Sequence, residues 1–312
     1  MTSTLRLTGI VPPIATPFTA DGDIDVPSLR RTVDHLVDGG VHGIFALGST
    51  AEVAYLTDAQ RETVLRTVVE TVAGRVPVVA AAIEMTTRRV QEAVAAAAAI
   101  GVDGVVVTAP FYALPDAGEI EAHFRAVAAA SPVPVYAYDV PVRVHSKLGL
   151  EMLVRLGSEG VIAGVKDSSG DDVGFRRLVA ANAAAGSPLA LLTGHEVVVD
   201  GMLLLGADGV VPGLANVDPH GYRRLWDAAQ AGDWATARTE QDRISALFEI
   251  VFQSPERSLD ARGVGAFKVA MAVQGICDTP QMAYPVEAIT GPAVARITEI
   301  VREAGLTVTA DA

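Results

Sequence analysis

Short, uninterrupted apolar runs alternate along the chain with longer segments whose apolar residues fall at helical spacing. One tetrapeptide shape precedes four of the runs: Gly40-Val41-His42-Gly43, Gly101-Val102-Asp103-Gly104, Gly157-Ser158-Glu159-Gly160 and Gly206-Ala207-Asp208-Gly209. The runs that follow, 44–47, 105–107, 161–165 and 210–211, have no polar alternation, which predicts strands buried on both faces of a parallel sheet. A glycine before each suits a helix C-cap and a tight turn. Three proline-led runs lie between them, Pro77-Val78-Val79, Pro134-Val135-Tyr136 and Pro188-Leu189-Ala190, and proline is tolerated at the first residue of a strand. With the opening run 9–14 these make eight predicted strands.

The intervening segments read as helices. Asp58-Ala59-Gln60-Arg61-Glu62 opens a run carrying Val64, Leu65, Val68 and Val69, while 87–100 is alanine-rich with Val90, Val94 and Ile100. Segments 119–130, 150–156 and 172–185 continue the alternation. The pattern predicts an α/β chain folded as a closed (β/α)8 TIM barrel. An open doubly wound sheet is the main competing arrangement. No Gly-rich dinucleotide fingerprint follows the first strand, however, where Val11-Pro12-Pro13-Ile14-Ala15-Thr16-Pro17 leads into a loop. Strand signals cease after Pro212, and helices are predicted at 222–231, 234–252, 264–274 and 293–304. A boundary near Asp218 thus divides a catalytic barrel domain, 1–218, from a C-terminal helical domain, 219–312.

Composition narrows the function. Half of the 312 residues are hydrophobic, enough for a sizeable core. The net charge of −13 offers no basic face to a phosphate backbone, so nucleic acid is not an expected partner. The most apolar window, 90–110, is broken by Gln91, Glu92, Asp103 and two glycines, and no membrane span is expected. Cys277 is the lone cysteine, read as a small buried hydrophobe. The start, Met1-Thr2-Ser3-Thr4-Leu5-Arg6, lacks the grammar of a secretory leader, so a cytoplasmic location is expected.

In a barrel of this kind the reacting groups stand at the C-terminal ends of the strands. The chain has three lysines, Lys147, Lys166 and Lys268, against twenty-one arginines. A lysine kept at a strand end, in Gly164-Val165-Lys166-Asp167, suggests a task that guanidinium cannot perform, and amine nucleophilicity is one. Burial disfavours the charged ammonium. Pairing with Asp167 is the plainer alternative, and Lys147 and Lys268 read as solvated or pairing charges. Tyr138, on the preceding strand, could aim its hydroxyl at the Lys166 amine and pass protons, or could simply pack. Gly48-Ser49-Thr50 offers consecutive amides and two hydroxyls for a carboxylate, although such residues also fill ordinary loops. Arg143 is either a second carboxylate clamp or a surface ion-pair partner. The six histidines show no metal-ligand spacing; His195-Glu196 is the one His/carboxylate pair near the active face. No metal is expected, and neither a Gly-x-Ser-x-Gly elbow nor a Walker loop occurs.

Taken together, Gly48-Ser49-Thr50-Ala51-Glu52, Tyr138-Asp139-Val140-Pro141, Gly164-Val165-Lys166-Asp167 and Gly209-Val210-Val211 resemble, in order, the motifs of the dihydrodipicolinate synthase / N-acetylneuraminate lyase family of class I aldolases. The resemblance implies that Lys166 forms a Schiff base with pyruvate or another 2-oxo acid, with no cofactor beyond that covalent imine. It implies that Tyr138 shuttles protons through Ser49 or Thr50 to Tyr112, which reaches over from a neighbouring subunit of a dimer or homotetramer. The Ser49 and Thr50 amides would hold the 2-oxo acid carboxylate, Gly194 and Val211 would border the substrate, and Arg143 would receive the carboxylate of the aldehyde substrate.

That arginine points to condensation of pyruvate with aspartate semialdehyde, the 4-hydroxy-tetrahydrodipicolinate synthase reaction of lysine biosynthesis. Ala51 in place of the usual glycine, Asp139 in place of asparagine, Val144-His145-Ser146-Lys147 after the arginine, Gly194-His195-Glu196 in place of Gly-Asp-Asp, and the 254–265 loop depart from the family pattern. These departures keep open an aldolase or dehydratase acting on 2-keto-3-deoxy sugar acids. A catalytically silent barrel that binds a 2-oxo acid is the alternative from another class.

Overall fold

The apolar runs form eight strands, and every residue in them is buried, as a sheet covered on both faces requires. In the computed structural model, which describes residues 5–309, these are β1 (Gly9–Ile10), β2 (Ile44–Ala46), β3 (Val78–Ala82), β4 (Gly104–Thr108), β5 (Val135–Asp139), β6 (Gly164–Asp167), β7 (Ala190–Thr193) and β8 (Gly209–Val210). Met1 to Thr4, on which most of the leader reading rests, lie outside the described residues.

All the strands run parallel, in the order β1-β8-β7-β6-β5-β4-β3-β2. A parallel bridge between Pro13 and Phe45 joins the two ends, with Ile14 N–H donating to Phe45 O at 3.0 Å and Phe45 N–H to Pro12 O at 2.9 Å. The result is a (β/α)8 TIM barrel. Predicted strand 9–14 is thereby split. Pro12 and Pro13 have no N–H to give a ladder, so β1 ends at Ile10 and the chain regains contact with β2 only through carbonyls and the Ile14 amide.

The helices are α1 (Val26–Asp38), α2 (Asp58–Val72), α3 (Thr87–Ile100), α4 (Ala117–Ala130), α5 (Pro141–Val144), α6 (Leu150–Ser158), α7 (Asp172–Ala184) and α8 (Val199–Leu205). Their starts are chemically marked. Thr57 with Gln60 and Asp116 with Glu119 form capping boxes that satisfy the first amides of α2 and α4. After β8 no further strand occurs among the described residues. Asp218 caps α9 (Pro219–Gln230), followed by α10 (Trp234–Phe248), α11 (Ala266–Val273) and α12 (Pro292–Glu303). The predicted helix 234–252 finishes in a 3-10 turn from Glu249, and 264–274 begins with a π turn, Ala261–Gly265.

One repeat copy falls in a different place. Gly157 lies inside α6, and Gly160, at φ +72°, is the residue that ends it. Val161 N–H then donates to Leu156 O at 2.9 Å, a Schellman closure. Val161 therefore belongs to the helix cap, and β6 starts at Gly164 rather than at 161 as predicted. No side chain fits at Gly164, where a Cβ would meet Ala190 O at 2.5 Å.

Candidate active site

Strand register brings the chemistry together. Tyr138 on β5 is the Cα partner of Lys166 on β6 and of Thr108 on β4, so the three share one level and one face near the C-terminal rim. Lys166 is 7% exposed, with Nζ 4.2 Å from the centroid of the Tyr138 ring and 4.7 Å from that of Phe45. Among the described residues it makes no ion pair. Asp167, one residue on, projects to the opposite face, where its Oδ1 accepts from the Ser169 amide at 2.8 Å and the Ser169 hydroxyl at 2.7 Å. Alternation along the strand thus removes the pairing that sequence alone left open.

Tyr138 is buried, which by itself would push its phenol up. The adjacent Lys166 charge and polar contacts with Ser168, Lys166 and Ser49 outweigh burial and leave the phenol below its ordinary value. A phenol so placed gives up its proton more readily than a free tyrosine, beside an amine and within reach of two hydroxyls.

Ser49 and Thr50 open a 3-10 turn, Ser49–Ala51, whose first amides have no intrahelical acceptor. The turn is anchored twice at its C-terminal end. Thr16 Oγ1 donates to Ala51 O at 2.9 Å, and Glu52, left-handed at φ +58°, pairs with Lys268 and accepts from Ala283 N–H at 2.8 Å. Glu52 and Lys268 are both almost wholly buried, so α11 of the helical region fixes the loop that carries Ser49. Ala51 fits where the family has glycine because the left-handed position is Glu52, not Ala51.

The other expected residues divide. Val211 is buried and its amide donates to Thr193 O at 2.8 Å. The Gly194 amide is committed to Asp167 O at 2.7 Å, and its missing side chain makes room for Ser168, whose Oγ would lie 2.0 Å from a Cβ there. Tyr112 stands apart from Lys166, 90% exposed and at φ +76°. Arg143 is not free: Asp260 is its ion-pair partner. His195 pairs with Asp172 at 2.7 Å, and not with Glu196. Glu196 instead accepts from Leu214 N–H at 2.7 Å, and burial pushes its carboxyl up to about 7 against the pull of the Leu214 and Gly213 amides and of Lys166.

Several site residues had not been singled out. Phe45, Thr108 and Ser168 carry no assigned role in the sequence reading, and Asp260 lies far along the chain in the loop that departs from the family pattern. That departure was the one available signal for Asp260; nothing in the sequence paired it with Arg143.

Comparison with known proteins settles the family. Residues 6–304 match the model of the "Dihydrodipicolinate synthetase family". The chain belongs to this family. It is accordingly a lyase of the dihydrodipicolinate synthetase family, as the order of the four motifs led us to expect. An uncharacterised DapA-like lyase of Halobacterium salinarum is 36% identical over 284 residues, 89% of this chain and 92% of that one. A 4-hydroxy-tetrahydrodipicolinate synthase of Phenylobacterium zucineum is 32% identical, covering 96% of this chain and 97% of its own. The crystal structure of YagE, a prophage protein of the family from E. coli K12 in complex with pyruvate, superposes with a TM-score of 0.89 at 27% identity, over 96% of this chain and 99% of that one.

Proposed function

We propose that the protein is a Schiff-base lyase in which Lys166 condenses with the carbonyl of pyruvate or a related 2-oxo acid. The observation that carries the reading is Lys166 itself, a buried amine without an ion pair among the described residues, set against the ring of Tyr138. The amine adds to C2 of the oxo acid and water leaves, giving an imine. Loss of a methyl proton turns the imine into an enamine, whose carbon bonds to an aldehyde carbon while the aldehyde oxygen takes up a proton. Water then cleaves the imine, releases the product and restores the amine. Tyr138 carries the protons, with Ser49 as its relay. The unpaired first amides of the Ser49–Ala51 turn support a seat there for the 2-oxo acid carboxylate, with Thr50 beside it and with Gly194 and Val211 at the opposite rim. No cofactor enters beyond the imine.

The exposed ring of Tyr112, on a left-handed residue at the end of the β4 strand loop, supports a homo-oligomer in which it completes a neighbour's site. Two partner substrates fit this machinery. Arg143 and the named relatives support condensation with aspartate semialdehyde. The Arg143–Asp260 pair favours the second reading, reversible cleavage of a 2-keto-3-deoxy sugar acid. In deuterated water the enzyme is expected to exchange the methyl protons of pyruvate, and Lys166→Arg to abolish the exchange. Exchange surviving in Lys166→Arg would remove the lysine from the chemistry.

A further inference from the structure

Beside Ser49 lies a pocket of about 160 Å³, bordered by Ser49, Tyr55, Thr108, Val140, Arg143 and Asp260. Drug-sized pockets begin at roughly 300 Å³, so this one suits a chain of a few carbons. Its two walls differ in chemistry. On the outer wall Asp260 Oδ1 takes the Arg143 guanidinium, and Asp260 Oδ2 accepts from the Tyr55 hydroxyl at 3.1 Å. Both oxygens of the carboxylate are engaged, and the positive charge of Arg143 is cancelled from within the chain. On the inner wall Thr108 is 1% exposed, and its buried hydroxyl has no hydrogen-bond partner among the described residues. Buried hydroxyls are rarely left so, and one that borders a pocket can both donate to and accept from a ligand.

We infer that Asp260 sets the choice of aldehyde: by occupying Arg143 it turns a carboxylate acceptor into an uncharged subsite that selects a short hydroxylated aldehyde over one bearing a carboxylate. The inference rests on the Schiff-base reading of Lys166. An anionic aldehyde entering here meets one guanidinium and a resident carboxylate competing for it. It must displace Asp260 and then lie beside it, which is discrimination by a repulsive element. The excess negative charge of the whole chain works in the same direction. A hydroxylated aldehyde pays no such penalty, because Thr108 and Ser49 offer it neutral partners. Asp260 also sits immediately before the π turn Ala261–Gly265, an irregularity frequent at functional sites.

The test compares kcat/KM for pyruvate with D-glyceraldehyde and with aspartate semialdehyde, in the full chain and in Asp260→Asn and Asp260→Asn/Arg143→Ala. The full chain is expected to prefer glyceraldehyde. Asp260→Asn keeps the shape, frees the guanidinium and shifts the ratio toward the semialdehyde by roughly tenfold, the effect of one charge-assisted pair. Adding Arg143→Ala returns the ratio toward that of the full chain, which a merely structural role for Asp260 would not produce. A ratio unmoved by Asp260→Asn, or a full chain that prefers the semialdehyde, overturns the inference. Borohydride trapping of pyruvate on each variant separates the two levels. An adduct on Lys166 with an unmoved ratio overturns the subsite alone, whereas absence of the adduct overturns the Schiff-base reading itself.

Discussion

Lys147 is ion-paired with Asp139, the residue that follows Tyr138 on β5. Asp139 is fully buried, and its other oxygen accepts from Leu148 N–H at 3.2 Å. Lys147, in the loop after Arg143, thus supplies the charge partner of the β5 aspartate, and its Nζ also lies 3.5 Å from Asp167 Oδ2. Burial pushes the Asp139 carboxyl above its ordinary value, a push that Lys147 and the Leu148 amide oppose only in part. Removing the lysine leaves the carboxylate buried and unpaired. Lys147→Ala is expected to lose about 1–3 kcal/mol in urea unfolding, the cost of an unsatisfied buried group. The double variant Asp139→Asn/Lys147→Ala should recover most of the loss, and additive losses would contradict the pairing.

The Glu52–Lys268 pair is more deeply buried, and it joins the Ser49 loop to α11. Lys268→Met strands the Glu52 carboxylate and is expected to destabilise the fold by ~3–5 kcal/mol. Because Glu52 closes the Ser49–Ala51 turn, KM for pyruvate should rise as well. Stability and KM both at wild-type levels would show that the loop does not depend on this anchor.

Tyr138→Phe removes the hydroxyl that lies among Lys166, Ser49 and Ser168 while keeping the ring. Turnover is expected to fall roughly 10²- to 10⁴-fold, the range for a positioned proton-transfer group, with the fold intact by circular dichroism. Rates near wild type would contradict its role.

His123 on α4 is buried, with Nε2 3.2 Å from Thr108 O and Nδ1 2.9 Å from Thr87 Oγ1. Burial pushes its pKa down to about 4, partly opposed by the Thr108 carbonyl. A histidine held neutral in the fold and free to charge when unfolded contributes stability above about 6.5, and that contribution is lost as pH falls toward 4. The unfolding free energy of the full chain should therefore drop by roughly 2–3 kcal/mol more between pH 7 and pH 4 than that of His123→Gln. Parallel pH profiles would contradict this.

The barrel and the buried lysine at a strand end were legible because each leaves a local trace. Strands buried on both faces read as unbroken apolar runs, and a rare lysine at the end of one stands out against twenty-one arginines. What escaped was relational. Gly160 rather than Gly157 ends α6 because cap geometry, not glycine spacing, decides which residue goes left-handed. Asp260 is 117 residues from Arg143, and nothing local to either announces their meeting. Lys268 read as a solvated or pairing charge; it is a pairing one, but its almost complete burial depends on partners distant in sequence, Glu52 and the Gln281 carbonyl at 2.8 Å.

The most direct measurement is borohydride reduction of the enzyme with pyruvate, followed by intact-mass and peptide analysis. One 1-carboxyethyl group per chain, located on Lys166 and absent from Lys166→Arg, is the expected result. An unmodified chain, or an adduct on Lys147 or Lys268, would contradict the assignment of Lys166 as the nucleophile.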